Sequence, residues 1–170
     1  MSLPVRKPTR LPEYSYSNGG SYFLTICTQN REKLFSRIVP GAQGDYPYNG
    51  DGRYLRVELT PAGQMIEKQL KKARRNKLVR VENYIIMPDH LHIIVSVSQE
   101  TIQEKGLPST ERIPCFVSMF KRNCNRELGR NVFQRGYHDH VIRGIADCEA
   151  LDRYILYNPA NWYFREHQKS

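Results

Sequence analysis

The sequence predicts an α+β fold: a ferredoxin-like or RRM-like antiparallel sheet with helices packed on one face. Three observations point there. Short runs of β-branched and aromatic residues recur along the chain, amphipathic stretches separate them, and the order reads strand, helix, strand, strand, helix, strand, helix. A length of 170 residues fits one domain over 1–170, with an N-terminal arm at 1–20 and a loop insertion at 40–53.

Residues 21–28, Ser-Tyr-Phe-Leu-Thr-Ile-Cys-Thr, have the composition of a strand. Pro40, Gly41, Gly44, Pro47, Gly50 and Gly52 mark a turn-rich stretch. It joins short strands near 35–39 and 53–59 as a long hairpin. Thr60-Pro61 starts a helix, with a hydroxyl N-cap and proline at the first helical position. Ala62, Met65, Ile66, Leu70 and Ala73 then share a face, and lysines and arginines cover the rest. Two strands follow at 79–87 and 90–97, divided by Pro88-Asp89.

A second amphipathic helix spans roughly 111–128. Ile113, Phe116, Val117, Phe120 and Cys124 face inward, and Lys121, Arg122 and Arg126 face outward. Pro114 is expected in its first turn, where no intrahelical N–H is needed. Tyr137 to Arg143 reads as a strand. Asp147 is expected to cap a last helix that Pro159 stops at about Asn158.

Lys and Arg number 26 against 17 acids, a net charge of +9. That excess suits a polyanionic partner such as nucleic acid. The cysteines at 27, 115, 124 and 148 form no C-x-x-C pair, as expected of reduced thiols in a cytoplasmic protein. The first ten residues carry no apolar run for a signal peptide, and nothing approaches the roughly 20 apolar residues of a membrane span. No Walker A sequence is present.

Of 5 histidines, His90 and His92 form one H-x-H pair and His138 and His140 another. Alternate residues of a strand point to one side, so each pair presents two imidazoles to one space, as a shared metal needs. Spacing ranks neither pair above the other, and two exposed strand histidines fit it equally. On the last helix, Tyr154 and Asn158 are four residues apart and share a face. A tyrosine hydroxyl is a possible nucleophile toward phosphorus, and an asparagine carbonyl a hard-metal ligand. A buried stripe of Leu151, Tyr154 and Ile155 accounts for the same pattern.

Longer runs carry more information. Arg10-Leu11-Pro12-Glu13-Tyr14-Ser15-Tyr16 and Tyr22-Phe23-Leu24-Thr25-Ile26-Cys27-Thr28 precede Tyr84-Ile85-Ile86-Met87-Pro88-Asp89-His90-Leu91-His92-Ile93-Ile94. Phe120-Lys121, Gln134-Arg135-Gly136-Tyr137-His138-Asp139-His140-Val141-Ile142-Arg143 and Tyr154-Ile155-Leu156-Tyr157-Asn158-Pro159 follow in order. Together they resemble the single-tyrosine HUH transposases, closest to the REP-associated tyrosine transposases.

The resemblance implies a transposase that cleaves and rejoins single-stranded DNA at hairpin-bearing ends, leaving a 5′-phosphotyrosine and a free 3′-OH. It implies His90, His92 and Asn158 as ligands of Mg²⁺ or Mn²⁺, and Tyr154 as nucleophile. His138 and His140 would be neighbours of the site. Asp89 is Asn in many relatives. Arg10, Lys121, Arg122, Arg135 and Arg143 are candidates for holding phosphates, and Tyr14, Tyr16, Tyr46 and Tyr48 for stacking on bases. Relatives include dimers and monomers, so either state is open. A domesticated hairpin-DNA-binding protein without turnover is the alternative reading.

Overall fold

A computed structural model describes residues 20–48, 52–97 and 109–168. Its main sheet has the strand order β5-β6-β1-β7, where β1 is Gly20–Cys27, β5 Val79–Ile86, β6 His90–Val97 and β7 His138–Ile142. All three pairings are antiparallel. Helix α1, Pro61–Ala73, lies between β1 and β5 in sequence, and α2, Ser109–Leu128, between β6 and β7. This is the β-α-β-β-α-β ferredoxin-like pattern that the sequence predicts.

The sheet separates two apolar clusters. Tyr22, Leu24 and Ile26 of β1 and Leu91, Ile93, Val95 and Val97 of β6 face the larger one. Ile66 and Leu70 of α1 and Ile113, Phe116, Val117, Phe120 and Cys124 of α2 cover it. Both helices thus pack on one face through the stripes expected of them. Phe23, Ile85 and Ile94 point the other way, toward Ile155 of a third helix, α3, Ile145–His167. Period-two alternation in β1 and β6 therefore serves two cores.

The turn-rich stretch holds more than a loop. Strand β2, Ser36–Pro40, pairs with β4, Arg53–Leu59, as expected, and β3, Tyr46–Tyr48, adds to the other edge of β4. This small sheet packs against α3.

Three helix-end expectations are corrected. Described α2 begins at Ser109, so Pro114 lies inside the helix rather than in its first turn. Pro159 does not stop α3, which runs on to His167. The missing N–H faces the Ile155 carbonyl, and an interior proline costs about 3 kcal/mol or more. Packing offsets that cost: Pro159 and Ala160 are buried, Trp162 joins the second cluster, and Lys33 pairs with Glu166. Asp147 is not the N-cap, a position held by Gly144. Its carboxylate instead accepts the Arg143 N–H at 2.8 Å from within the first turn.

Among the described residues the four cysteines are free. No helix among them is long and apolar enough to cross a membrane.

The start of α1 is as expected, with the Thr60 hydroxyl accepting the Gly63 N–H at 3.1 Å. Gly63 also lies against the preceding segment, where an added Cβ would come within 1.9 Å of the Phe35 carbonyl oxygen. Gly→Ala inside a helix ordinarily stabilises by about 1 kcal/mol. Here the sign reverses: Gly63→Ala is expected to destabilise by about 1–3 kcal/mol, the usual cost of overpacking. Urea denaturation midpoints check this, and an unchanged or raised midpoint overturns it.

Candidate active site

The turn Met87–Asp89 between β5 and β6 is buried. Neighbouring backbone clamps it: Leu34 and Phe35 donate N–H bonds to the Pro88 carbonyl at 2.9 and 3.0 Å. Thr28 donates both its N–H, at 2.9 Å, and its hydroxyl, at 3.0 Å, to the Asp89 carbonyl. Proline suits this enclosed turn because it brings no N–H to satisfy.

His90 and His92 follow on β6, 5% and 4% exposed. His90 pairs in register with Cys27 and His92 with Thr25, which puts both imidazoles on the α3 side. The His90 Nδ1–H donates to Asp89 Oδ1 at 2.5 Å. A carboxylate accepts this bond, which fixes the His90 ring so that its Nε2 faces inward toward His92. Thr25 Oγ1 lies 2.9 Å from His92 Nδ1, and a hydroxyl serves either tautomer. The two Nε2 atoms meet at 3.1 Å. Phe23 stacks on His92 with ring centroids 5.0 Å apart. Burial first, and then the neighbouring His90, push the His92 pKa down to about 3, so it is a neutral ligand at ordinary pH.

Helix α3 closes the site with residues spaced four apart: Tyr154, Asn158 and Trp162. The Tyr154 ring stands edge-on to His92 with centroids 5.2 Å apart, and Trp162 lies 6.0 Å from His90. Asn158 sits between them on the same stripe. It is 2% exposed, and its Oδ1 has no hydrogen-bond partner among the described residues. A buried acceptor left without a partner costs about 1–3 kcal/mol. Tyr154 is 46% exposed, so its ring is open to a large substrate.

Two imidazoles and an unpaired amide oxygen form a neutral donor set that fits a divalent metal. No group of three His, Cys, Asp or Glu side chains is suited to hold a metal among the described residues. The buried amide oxygen of Asn158 is the donor without a partner on the α3 side of the two imidazoles.

No family model matches the chain. It is 29% identical to an uncharacterized protein of Haemophilus influenzae, over 92% of this chain and 89% of the relative. It is 22% identical to a REP-associated tyrosine transposase of Escherichia coli, over 85% of this chain and 68% of the relative. A solved REP-associated tyrosine transposase bound to a REP hairpin shares the fold, with a TM-score of 0.56 and 18% identity, over 89% of this chain and 73% of that one. The chain is a relative of the REP-associated tyrosine transposases.

In this transposase relative the second histidine pair has a different setting. His138 and His140 lie on edge strand β7, on the same face as His92, in register with Thr25 and Phe23. Neighbouring strands are about 4.8 Å apart, so His138 stands roughly 10 Å from His92 across the sheet. The His140 side chain is 53% exposed, and its Nε2 lies 2.9 Å from an Asp147 oxygen. The structure brings His90, His92, Tyr154 and Asn158 together and leaves the second pair beside them.

The basic candidates are dispersed. Lys121 is half-buried, and its ammonium donates to the carbonyls of Gln134, at 2.8 Å, and Gly136. Arg122, Arg135 and Arg143 are exposed. Arg10, Tyr14 and Tyr16 lie outside the described residues.

Sequence reasoning missed several parts of the site. Asp89 bridges two partners, accepting from His90 and pairing through Oδ2 with Arg31 Nε at 2.9 Å. Arg31 also donates from Nη1 to Cys27 Sγ at 2.8 Å. It follows Asn30 in an unusual backbone stretch, with φ of 56° and 54° respectively. Two successive non-glycine residues in the left-handed region are strained. Thr25 and Phe23 were findable, since they alternate along β1 opposite His92. Trp162 was findable as Tyr154 plus eight, had the helix been continued through Pro159.

Replacing a lone buried acceptor by an apolar side chain of similar shape is neutral or stabilising. Asn158→Leu is therefore expected to leave the metal-free chain as stable as wild type, or about 1 kcal/mol more stable. Urea denaturation in chelator checks this. A loss above about 2 kcal/mol would mean that the amide has partners of its own in solution.

Proposed function

We propose that this chain is a metal-dependent DNA strand transferase that cleaves and rejoins single-stranded DNA at hairpin-bearing ends through a 5′-phosphotyrosine. The observation that carries the reading is the convergence of Tyr154, His92, His90 and Asn158: a partly exposed phenol 5.2 Å, ring to ring, from one of two histidines whose Nε2 atoms face each other. The relative solved with a REP hairpin supports hairpin DNA as the substrate class.

His90, His92 and Asn158 would hold Mg²⁺ or Mn²⁺. Bound there, the ion supplies Lewis acidity toward the phosphate oxygens. The residues do the rest. Asp89 fixes the His90 tautomer, and Phe23 and Thr25 fix the His92 ring. Tyr154 gives up its phenolic proton to water and attacks phosphorus with Oη. The P–O3′ bond breaks, the departing oxygen takes a proton, and the 5′-phosphate stays on Tyr154. Rejoining reverses these steps with an incoming 3′-OH. One phosphodiester is exchanged for another, so no nucleotide cofactor is consumed.

Two experiments test the reading. With labelled single-stranded hairpin DNA and Mn²⁺, the wild type is expected to form a covalent adduct on a denaturing gel, abolished by chelator and by Tyr154→Phe. An adduct that survives Tyr154→Phe assigns another nucleophile; no adduct from wild type on hairpins of its own genome favours binding without turnover.

The second experiment uses the only tryptophan, Trp162, as a reporter beside His90. Mn²⁺ is expected to quench its fluorescence. Asp89→Ala is expected to weaken Mn²⁺ binding about 10–100-fold, as loss of a ligand-orienting carboxylate does elsewhere. Asp89→Asn keeps an acceptor for His90 and should lose less. Equal affinities in all three proteins would remove Asp89 from the site's machinery.

A further inference from the structure

Beside the small sheet lies a cavity of about 550 Å³ whose walls include Gly41, Tyr48, Arg53, Tyr54 and Tyr163. Its aromatic rings are half-buried and belong to neither apolar cluster of the fold. Tyr163 meets Tyr48 edge-on at 6.0 Å, and the Arg53 guanidinium lies over the Tyr48 ring at 4.3 Å. The back of the cavity is tightly built: an added Cβ on Gly41 would come within 2.9 Å of the Leu55–Arg56 backbone. Only glycine lets the chain just after β2 pass that close to β4.

We propose that this cavity receives a nucleobase from the single-stranded part of the DNA substrate, a proposal that rests on the strand-transfer reading above. Tyrosine faces with an adjoining guanidinium make a stacking platform for any base, because every base has a π-face. The volume falls within the roughly 300–1,000 Å³ of small-molecule pockets, ample for one base and its sugar. Position agrees as well. Tyr163 follows Trp162, the residue that faces His90, and stands nine residues beyond Tyr154 on α3. At 1.5 Å and 3.6 residues per turn that is about 14 Å along the helix and half a turn round it. A strand rising about 3.4 Å per stacked nucleotide covers the axial part in about four nucleotides, and passing round the helix adds a few more. A DNA strand held at Tyr154 therefore reaches the cavity within several nucleotides of the cut. The net charge of +9 favours the polyanion that would carry the base there.

Photocrosslinking tests this. Hairpin oligonucleotides with single-stranded flanks carry 5-iododeoxyuridine at each flank position in turn and are irradiated with the full chain bearing Tyr154→Phe, which keeps the DNA uncut. One or two adjacent flank positions are expected to crosslink to the peptides of Tyr48, Tyr54 or Tyr163. Adding Tyr54→Ala should cut that crosslink about tenfold or more, while Tyr54→Phe, which keeps the ring, should preserve it. Crosslinks that map only outside these peptides, or that survive Tyr54→Ala, overturn the proposal. The adduct assay on wild type separates the two readings. Cavity crosslinks without a Tyr154 adduct keep the base pocket and sink strand transfer, an adduct with crosslinks elsewhere does the reverse, and neither signal removes both.

Discussion

The site depends on one constraint, the face alternation of β6. Seven of its eight residues are committed. Leu91, Ile93, Val95 and Val97 are in the larger core, and His90, His92 and Ile94 turn toward α3. A slip of one residue would put both imidazoles into an apolar cluster and four aliphatic side chains on the other face. The apolar side of β6 therefore enforces the polar side. The clamped turn at Met87–Asp89 then sets where the strand starts, and with it the height of His90 relative to Asp89 and Arg31.

Several features of the site oppose folding when taken alone. An amide oxygen is buried without a partner among the described residues, and Asn30 and Arg31 hold positive φ. Such departures from local preference persist where the surrounding structure over-determines them, and they gather at functional sites. Here the over-determination is visible: β6 is paired on both sides, and its larger core is sealed by α1 and α2. The rigid half of the fold holds the two imidazoles in place, while α3 brings the buried Asn158 and the more exposed Tyr154.

The sheet and first two helices were legible because period-two and period-3.6 patterns encode them directly. The prolines were not. Proline is a local breaker, and its cost is overridden only by contacts made elsewhere, such as those of Trp162 and Tyr163 beyond Pro159. Strand β3 was hidden by Pro47 and the glycines around it, since an edge strand tolerates a proline. The two histidine pairs were indistinguishable by spacing because spacing reports only side-chain direction. Strand position separates them: β6 is interior and lies beneath α3, whereas β7 is an edge, so one pair is desolvated and the other largely wet.

Asp89 shows how the charge of such a site is arranged. A buried carboxylate next to two imidazoles would ordinarily compete to become a ligand, lowering the net charge a cation presents to phosphate. Here both of its oxygens are engaged, Oδ1 by His90 and Oδ2 by Arg31. The guanidinium balances its charge, and the hydrogen bond fixes the imidazole so that Nε2 faces inward. The inner donors are then two imidazole rings and one amide. Under the proposed function, a divalent ion held by them would keep its full charge for substrate oxygens, which is where charge develops when a phosphodiester is cut. An asparagine at position 89 would orient His90 as well, but would leave Arg31 uncompensated beside the site. Aspartate and Arg31 therefore function as a pair.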